Sequence, residues 1–404
     1  MGKNINQIEK DLKELCVNIS QRHTGSEGNK EATHYAAMRL NDSLFRVEKQ
    51  AFDCKNWLHG EVFLEVGGTK IESKICPYSL PCKLECEFET ASSIEELEIK
   101  ELTGKIVVLH GDICKEPIIP KNFVFYNPEE HQRIVSLLEQ KDPLAIVAIT
   151  SRHNVLAGAE YPFPMFQDGD FDFPAVSLTD IEGEKILASR GEKIKLSIQS
   201  ERIQTDGCNV LGIKEGNNPK KIVFCAHIDA KEGVPGALDN ATGCVVLLTL
   251  ADLLKDYKGK YGIELLFVNG EDYYSGIGEV IYLQTNQESL QDTLLNVNID
   301  GIGYHKGRTS FCEFECSEKL SSLIGKTFQD AYKFTTIEPW YQGDHMIFVI
   351  NGVPAIALSS EHILELTTEI THTPKDNIDI TSTQRLHETA IALRNLIDYL
   401  NEEV

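Results

Sequence analysis

Five short stretches hold side chains that could do chemistry. His227-Ile228-Asp229 ends an apolar run, Lys221 to Ala226, and positions i and i+2 of a strand project to one face, so His227 and Asp229 point together. Asp239 stands at the start of a strongly apolar helical stretch, inside Pro235-Gly236-Ala237-Leu238-Asp239-Asn240-Ala241-Thr242-Gly243. Glu271 and Asp272 leave the apolar run Leu265-Leu266-Phe267-Val268, where adjacent carboxylates repel unless cations compensate them. Asp300 ends Leu295-Asn296-Val297-Asn298-Ile299, and His372 lies in the Pro-containing loop Thr371-His372-Thr373-Pro374. Singly, these read as a surface turn, a helix cap, a solvated strand end or a loop histidine. Jointly, two histidines and three carboxylates suit two zinc-like ions bridged by one carboxylate, with a further acid left as general base.

The elements that must position these residues can be read from periodicity. From Thr205 onward strands alternate with helices. Strands are expected at Lys221–Ala226, Gly262–Asn269, Leu294–Ile299, Thr309–Glu315 and Pro354–Leu358. Helices are expected from Asp239 to about Asp256, near Ile277–Leu283, from an N-cap at Ser317 to Tyr332, and over Thr383–Leu400. Such alternation predicts an α/β fold, a mostly parallel mixed sheet with helices on both faces, whose ligands gather at the carboxyl ends of the strands. Two amphipathic helices, Ile5–Ile19 and Asn29–Leu44, lead in. Between them and the α/β part lies a stretch of short β runs, including Lys105–Leu109, Ala145–Ile149 and Ala175–Leu178. The expected organisation is therefore residues 1–55 with 203–404 as one discontinuous domain, and residues 56–202 as a β-rich insertion.

Composition narrows the function classes. The 404 residues carry 39 Lys plus Arg against 62 Asp plus Glu, a net charge of −23 that repels phosphate backbones and anionic lipid, so neither nucleic acid nor membrane is expected as a partner. No run approaches the roughly 18 apolar residues of a membrane span, and no signal peptide is visible at Met1–Gln7. Eleven cysteines without a CxxC pair read as reduced thiols, which makes the expected compartment cytoplasmic. Gly301-Ile302-Gly303 has Lys306 where a dinucleotide fingerprint needs its third Gly. Asp168-Gly169-Asp170-Phe171-Asp172 has Phe173 at the Gly of a calcium loop. Thr24 breaks the nucleophile-elbow pattern at Gly25-Ser26-Glu27-Gly28.

In their order, the motifs His227-x-Asp229, Gly236-Ala237-x-Asp239-Asn240, Glu271-Asp272, Asp300 and His372-Thr373-Pro374 resemble the cocatalytic dizinc peptidases that include bacterial leucyl aminopeptidase, aminopeptidase Y and glutamate carboxypeptidase. Arg22-His23-x-Gly25-Ser26 and Gly343-Asp344-His345 support the resemblance, and the middle segment looks like a protease-associated domain. The resemblance implies a zinc exopeptidase-like fold holding two zinc ions, with other divalent metals open, and a peptide substrate. It implies Asp239 as bridging ligand, Asp272 and His372 completing one metal, and His227 and Asp300 the other. It makes Glu271 the general base, Asp229 the residue orienting His227, and Tyr341 a donor to the oxyanion. It also implies a cis Asp239–Asn240 peptide. Many relatives have Glu at the position of Asp272 and Asp at that of Asn240. The expected activity is that of an aminopeptidase; the alternatives are a carboxypeptidase or other amide hydrolase on the same metals, or a non-catalytic binding module. A homo-oligomer is left open.

Overall fold

The computed structural model describes residues 2–19, 21–124, 126–152 and 160–403. The chain divides into two compact units, one of Met1–Cys54, Asp206–Leu366 and Ile370–Val404, the other of Lys55–Thr205 with Thr367–Glu369.

In the first unit the strands lie in the order Phe334–Thr336, Thr309–Phe314, Ala355–Ser360, Thr293–Ile299, Lys221–His227 and Gly262–Val268, followed by the 206–214 end of Ile194–Lys214. The central pairs are parallel: Lys221–His227 with both Gly262–Val268 and Thr293–Ile299, and Thr293–Ile299 with Ala355–Ser360. Ile194–Lys214 runs antiparallel to Gly262–Val268, and Thr309–Phe314 antiparallel to Ala355–Ser360, so the sheet is mixed but mostly parallel. Buried on both faces, its central strands are continuous apolar runs, as parallel strands covered by helices require; Gly262–Val268 is buried at every position.

The helix Thr242–Leu253 is buried at each residue from Thr242 to Ala251, which explains why its sequence lacks a polar stripe. With Leu, Val and Ile burial stabilising by roughly 1.5–3 kcal/mol per side chain, this helix and its partners anchor the main core. It packs with Ile222, Phe224, Leu265, Phe267, Leu295 and Val297 of the sheet and with Leu386, Leu393 and Leu396 of the helix Thr383–Glu403.

Two helices differ from expectation. The regular helix starts at Thr242 rather than Asp239, because Asp239 and Asn240 adopt non-helical backbone angles in a wide turn, Ala237–Ala241. There Asn240, not Asp239, serves the helix start: its Oδ1 accepts the Gly243 N–H at 3.1 Å and its Nδ2 donates to the Ile299 carbonyl at 2.8 Å. The second helix, capped by Ser317, whose side chain accepts from Leu320 N, ends at Thr327 instead of Tyr332. Asp330 turns the chain by accepting the Tyr332 N–H with its side chain and the Lys333 and Phe334 N–H groups with its carbonyl.

The second unit holds a five-stranded sheet in the order Lys74–Ile75, Ala175–Leu178, Ala145–Ile149, Ile106–Leu109, Phe88–Ala91, parallel except at Lys74–Ile75. It carries helices as well as the expected strands: Ile94–Ile99, Glu129–Lys141 and Asp180–Ala188. Glu129–Lys141 buries Ile134, Val135, Leu137 and Leu138, an amphipathic pattern that the surrounding β runs mask. This unit has its own apolar clusters, one around Val107, Leu109, Ile146 and Leu138, the other around Ile106, Val108, Val147 and Leu196.

A candidate dinuclear metal centre

The parallel register sets the ends of three neighbouring strands side by side. Lys221–His227 ends on His227 itself, Gly262–Val268 runs into Glu271 and Asp272, and Thr293–Ile299 runs into Asp300. The turn before the buried helix adds Asp239, and the loop after Leu366–Ile370 adds His372.

Asp239 stands between the two imidazoles. Its Oδ1 lies 3.0 Å from His227 Nε2, and its Oδ2 lies 3.1 Å from His372 Nε2. His227 Nε2 also faces Asp300 Oδ1 at 3.7 Å and Glu271 Oε2 at 4.0 Å, while His372 Nε2 faces Asp272 Oδ1 at 3.4 Å. Two trios thus share one carboxylate, His227–Asp239–Asp300 and Asp239–Asp272–His372, each offering ligand atoms within 4.8 Å of one another, and His227–Glu271–Asp272 meets the same limit. The structure brings together all five residues expected to ligate metal, with Glu271 beside them.

Burial disfavours charge on Asp239, yet the two imidazoles hold its carboxyl well below the usual carboxylate range. Burial together with the neighbouring carboxylates Asp272, Asp300 and Asp239 pushes Glu271 well up, against the pull of His227. Burial would lower both histidines, but the carboxylates dominate: His227 is raised well above its ordinary value and His372 to about 10. These opposed shifts mark a crowd of carboxylates that protons on the imidazoles, or bound cations in their place, relieve. His227 Nε2 and Asp272 Oδ2 are buried and have no hydrogen-bond partner, as expected of atoms facing a ligand position. Two imidazoles and three carboxylates are a nitrogen and oxygen donor set that zinc accepts, so the residues fit a pair of such ions.

Asp229 faces His227 and does a second task besides. The nearest partner of His227 Nδ1 is the Asp229 main-chain carbonyl at 3.2 Å, and the carboxylate Oδ1 is 3.7 Å away. The buried Asp229 carboxylate also accepts the N–H groups of Gly270 at 2.9 Å, Glu271 at 3.3 Å and Asp272 at 3.0 Å, with Thr24 Oγ1 at 3.0 Å. It fixes the loop that presents Glu271 and Asp272. Tyr341 is exposed and packs edge-on against Phe314; among the described residues no hydrogen bond ties it to the cluster.

Three further residues shape the site. Asp376, fully buried, accepts the N–H groups of Leu238 at 2.7 Å and Asp239 at 3.1 Å. Its only sequence signal was the spacing from His372, which marks no chemistry by itself. Arg22 is buried and donates to the carbonyls of Leu15, Ile228, Pro235 and Gly236, tying the His227 loop to the Asp239 loop. Gly236 has φ 58°, and a Cβ there would stand 2.6 Å from the Ala230 Cβ and the Asp239 carbonyl oxygen, so only glycine fits the turn. The Asp239–Asn240 peptide is cis.

The sequence model of the family described as Peptidase family M28 matches residues 209–397, a span containing every ligand candidate and Glu271. This stretch belongs to peptidase family M28. The chain is 23% identical over 235 residues to aminopeptidase YwaD of Bacillus subtilis, covering 56% of this chain and 51% of that protein. It is likewise 23% identical over 321 residues to a probable leucine aminopeptidase 2 of Aspergillus oryzae, covering 74% and 60%. The chain thus spans about half to three-fifths of the length of these curated relatives. In fold it is similar to BSAP, a zinc aminopeptidase from Bacillus subtilis, with a TM-score of 0.75 at 18% identity, covering 99% of this chain and 96% of that one.

Proposed function

We propose that the protein is a zinc metallo-aminopeptidase that hydrolyses the N-terminal residue from peptides. The observation that carries this reading is Asp239, each of whose carboxylate oxygens faces a different imidazole. In this reading two zinc ions are held, one by His227, Asp239 and Asp300, the other by Asp239, Asp272 and His372. When bound, the ions supply Lewis acidity that polarises the scissile carbonyl and makes water nucleophilic at neutral pH.

The protein's own groups do the rest. Glu271 accepts the proton of the attacking water and returns it to the leaving amine, a task suited to a carboxylate whose pKa its surroundings push upward. Asp229 keeps Glu271 in place through the Glu271 N–H. Asp376 and Arg22 hold the Asp239 turn, so the bridging carboxylate is set before substrate arrives. The relatives the chain matches are named as aminopeptidases. This supports an aminopeptidase over a carboxypeptidase.

The second unit, Lys55–Thr205, is proposed as the protease-associated insertion of the resemblance. The eleven free cysteines support a reducing compartment such as the cytosol. The deciding experiment compares matched peptides. Cleavage of free-amine substrates is expected to vanish on N-acetylation and to survive C-terminal amidation; the reverse pattern would establish the carboxypeptidase alternative.

A further inference from the structure

A lysine stands against one of the two trios and not the other. Lys231, four residues beyond His227, donates from Nζ to the Asp272 carbonyl at 2.8 Å and lies 3.3 Å from Asp272 Oδ1. The same Oδ1 faces His372 at 3.4 Å, while Oδ2 is buried with no hydrogen bond. The ammonium therefore grips one oxygen of the carboxylate and leaves the other for the ligand position. Asp300, the corresponding acid of the other trio, has no lysine or arginine ion pair among the described residues.

We propose that Lys231 is a positioning residue that makes the two metal positions unequal. The inference rests on the dinuclear reading above. Through its two contacts Lys231 holds Asp272, whose side chain is short, in the orientation that presents Oδ2. By placing a positive charge against Asp272 it also weakens dication binding in the Asp239–Asp272–His372 position relative to His227–Asp239–Asp300, since like charges a few ångströms apart in a partly dry site repel strongly. The result is one firmly held ion and one exchangeable ion.

Orientation and charge predict opposite signs when the lysine is removed, which makes the proposal testable without any activity assay. The full chain, stripped of metal, is titrated with zinc against a chromophoric chelator. The wild-type protein is expected to bind two ions in two resolved steps. Lys231→Met and Lys231→Gln are expected to tighten the weaker step by about tenfold or more and to leave the tighter step nearly unchanged, while Lys231→Arg keeps the wild-type curve. A weaker step that is unchanged or loosened in both neutral variants would overturn the charge role. Binding of fewer than two ions by the wild-type chain at saturating zinc would instead overturn the dinuclear reading, and this inference with it.

Discussion

Each acidic residue of the centre has a different task because its surroundings differ. Asp239 lies between two imidazoles, Asp272 is held by Lys231, and Glu271, among the described residues, faces only the His227 imidazole, at the longer distance of 4.0 Å. Asp272 accordingly sits at about 2, with burial opposed by Lys231 and His372, whereas burial and carboxylate neighbours drive Glu271 upward. In the proposed reading, this separation suits Asp272 to hold a metal and Glu271 to take a proton. Replacing Glu271 with Gln removes the proposed proton acceptor but none of the five proposed ligands, so bound zinc should stay at the wild-type amount while kcat falls by a factor on the order of 10² to 10⁴. Asp239→Ala should lose zinc as well as activity, because both trios share that side chain. Zinc content by atomic absorption alongside steady-state rates separates the two outcomes, and near wild-type turnover in Glu271→Gln would reject the base assignment.

Between residue and fold, loops are held to strand ends by buried polar contacts. The segment Trp340–His345 is fixed to the Thr293–Ile299 strand by His345, whose Nε2 donates to the Trp340 carbonyl at 3.0 Å and whose Nδ1 accepts from Asn298 Nδ2 at 3.3 Å. Burial lowers this imidazole to about 4, opposed by its bond to the Trp340 carbonyl. The unfolded chain takes up the proton near the ordinary histidine value of ~6.5, whereas the folded chain resists until about 4. The neutral ring's contribution is therefore present above ~6.5 and is lost as pH falls toward 4. His345→Asn should flatten the fall in thermal midpoint across that window, measured on metal-free protein at several pH values; an unaltered acid limb would show that other groups set it. The Asp229 carboxylate acts in the same way on Gly270–Asp272, as a buried acceptor that a loop closes around.

At the scale of the molecule, each unit has its own core, and among the described residues the metal candidates all lie in the first. Calorimetry is expected to resolve two transitions. Zinc at a hundredfold excess over its dissociation constant adds about 2.7 kcal/mol to the state that binds it, or a rise of roughly 5–10 °C for a unit of about 250 residues. EDTA should abolish that rise in one transition and leave the other in place; a shift of both together would show that the units melt as one. The sequence was enough for the alternation of strands and helices, and for the identity and order of the candidate residues, because periodicity is local and polar residues at the ends of apolar runs are conspicuous. It marked Asp239 as a helix cap as readily as a ligand, and only the fold shows Asn240 taking the cap and leaving the Asp239 carboxylate free for two histidines. It paired Asp229 with His227, and only the folded chain shows the same carboxylate also accepting from a loop some forty residues on. Asp376 and Lys231 acquire their tasks from partners 137 and 41 residues away. Which loops meet is decided by strand order, here Thr293–Ile299 beside Lys221–His227 beside Gly262–Val268, and that order arises from long-range packing that no local pattern of residue types encodes.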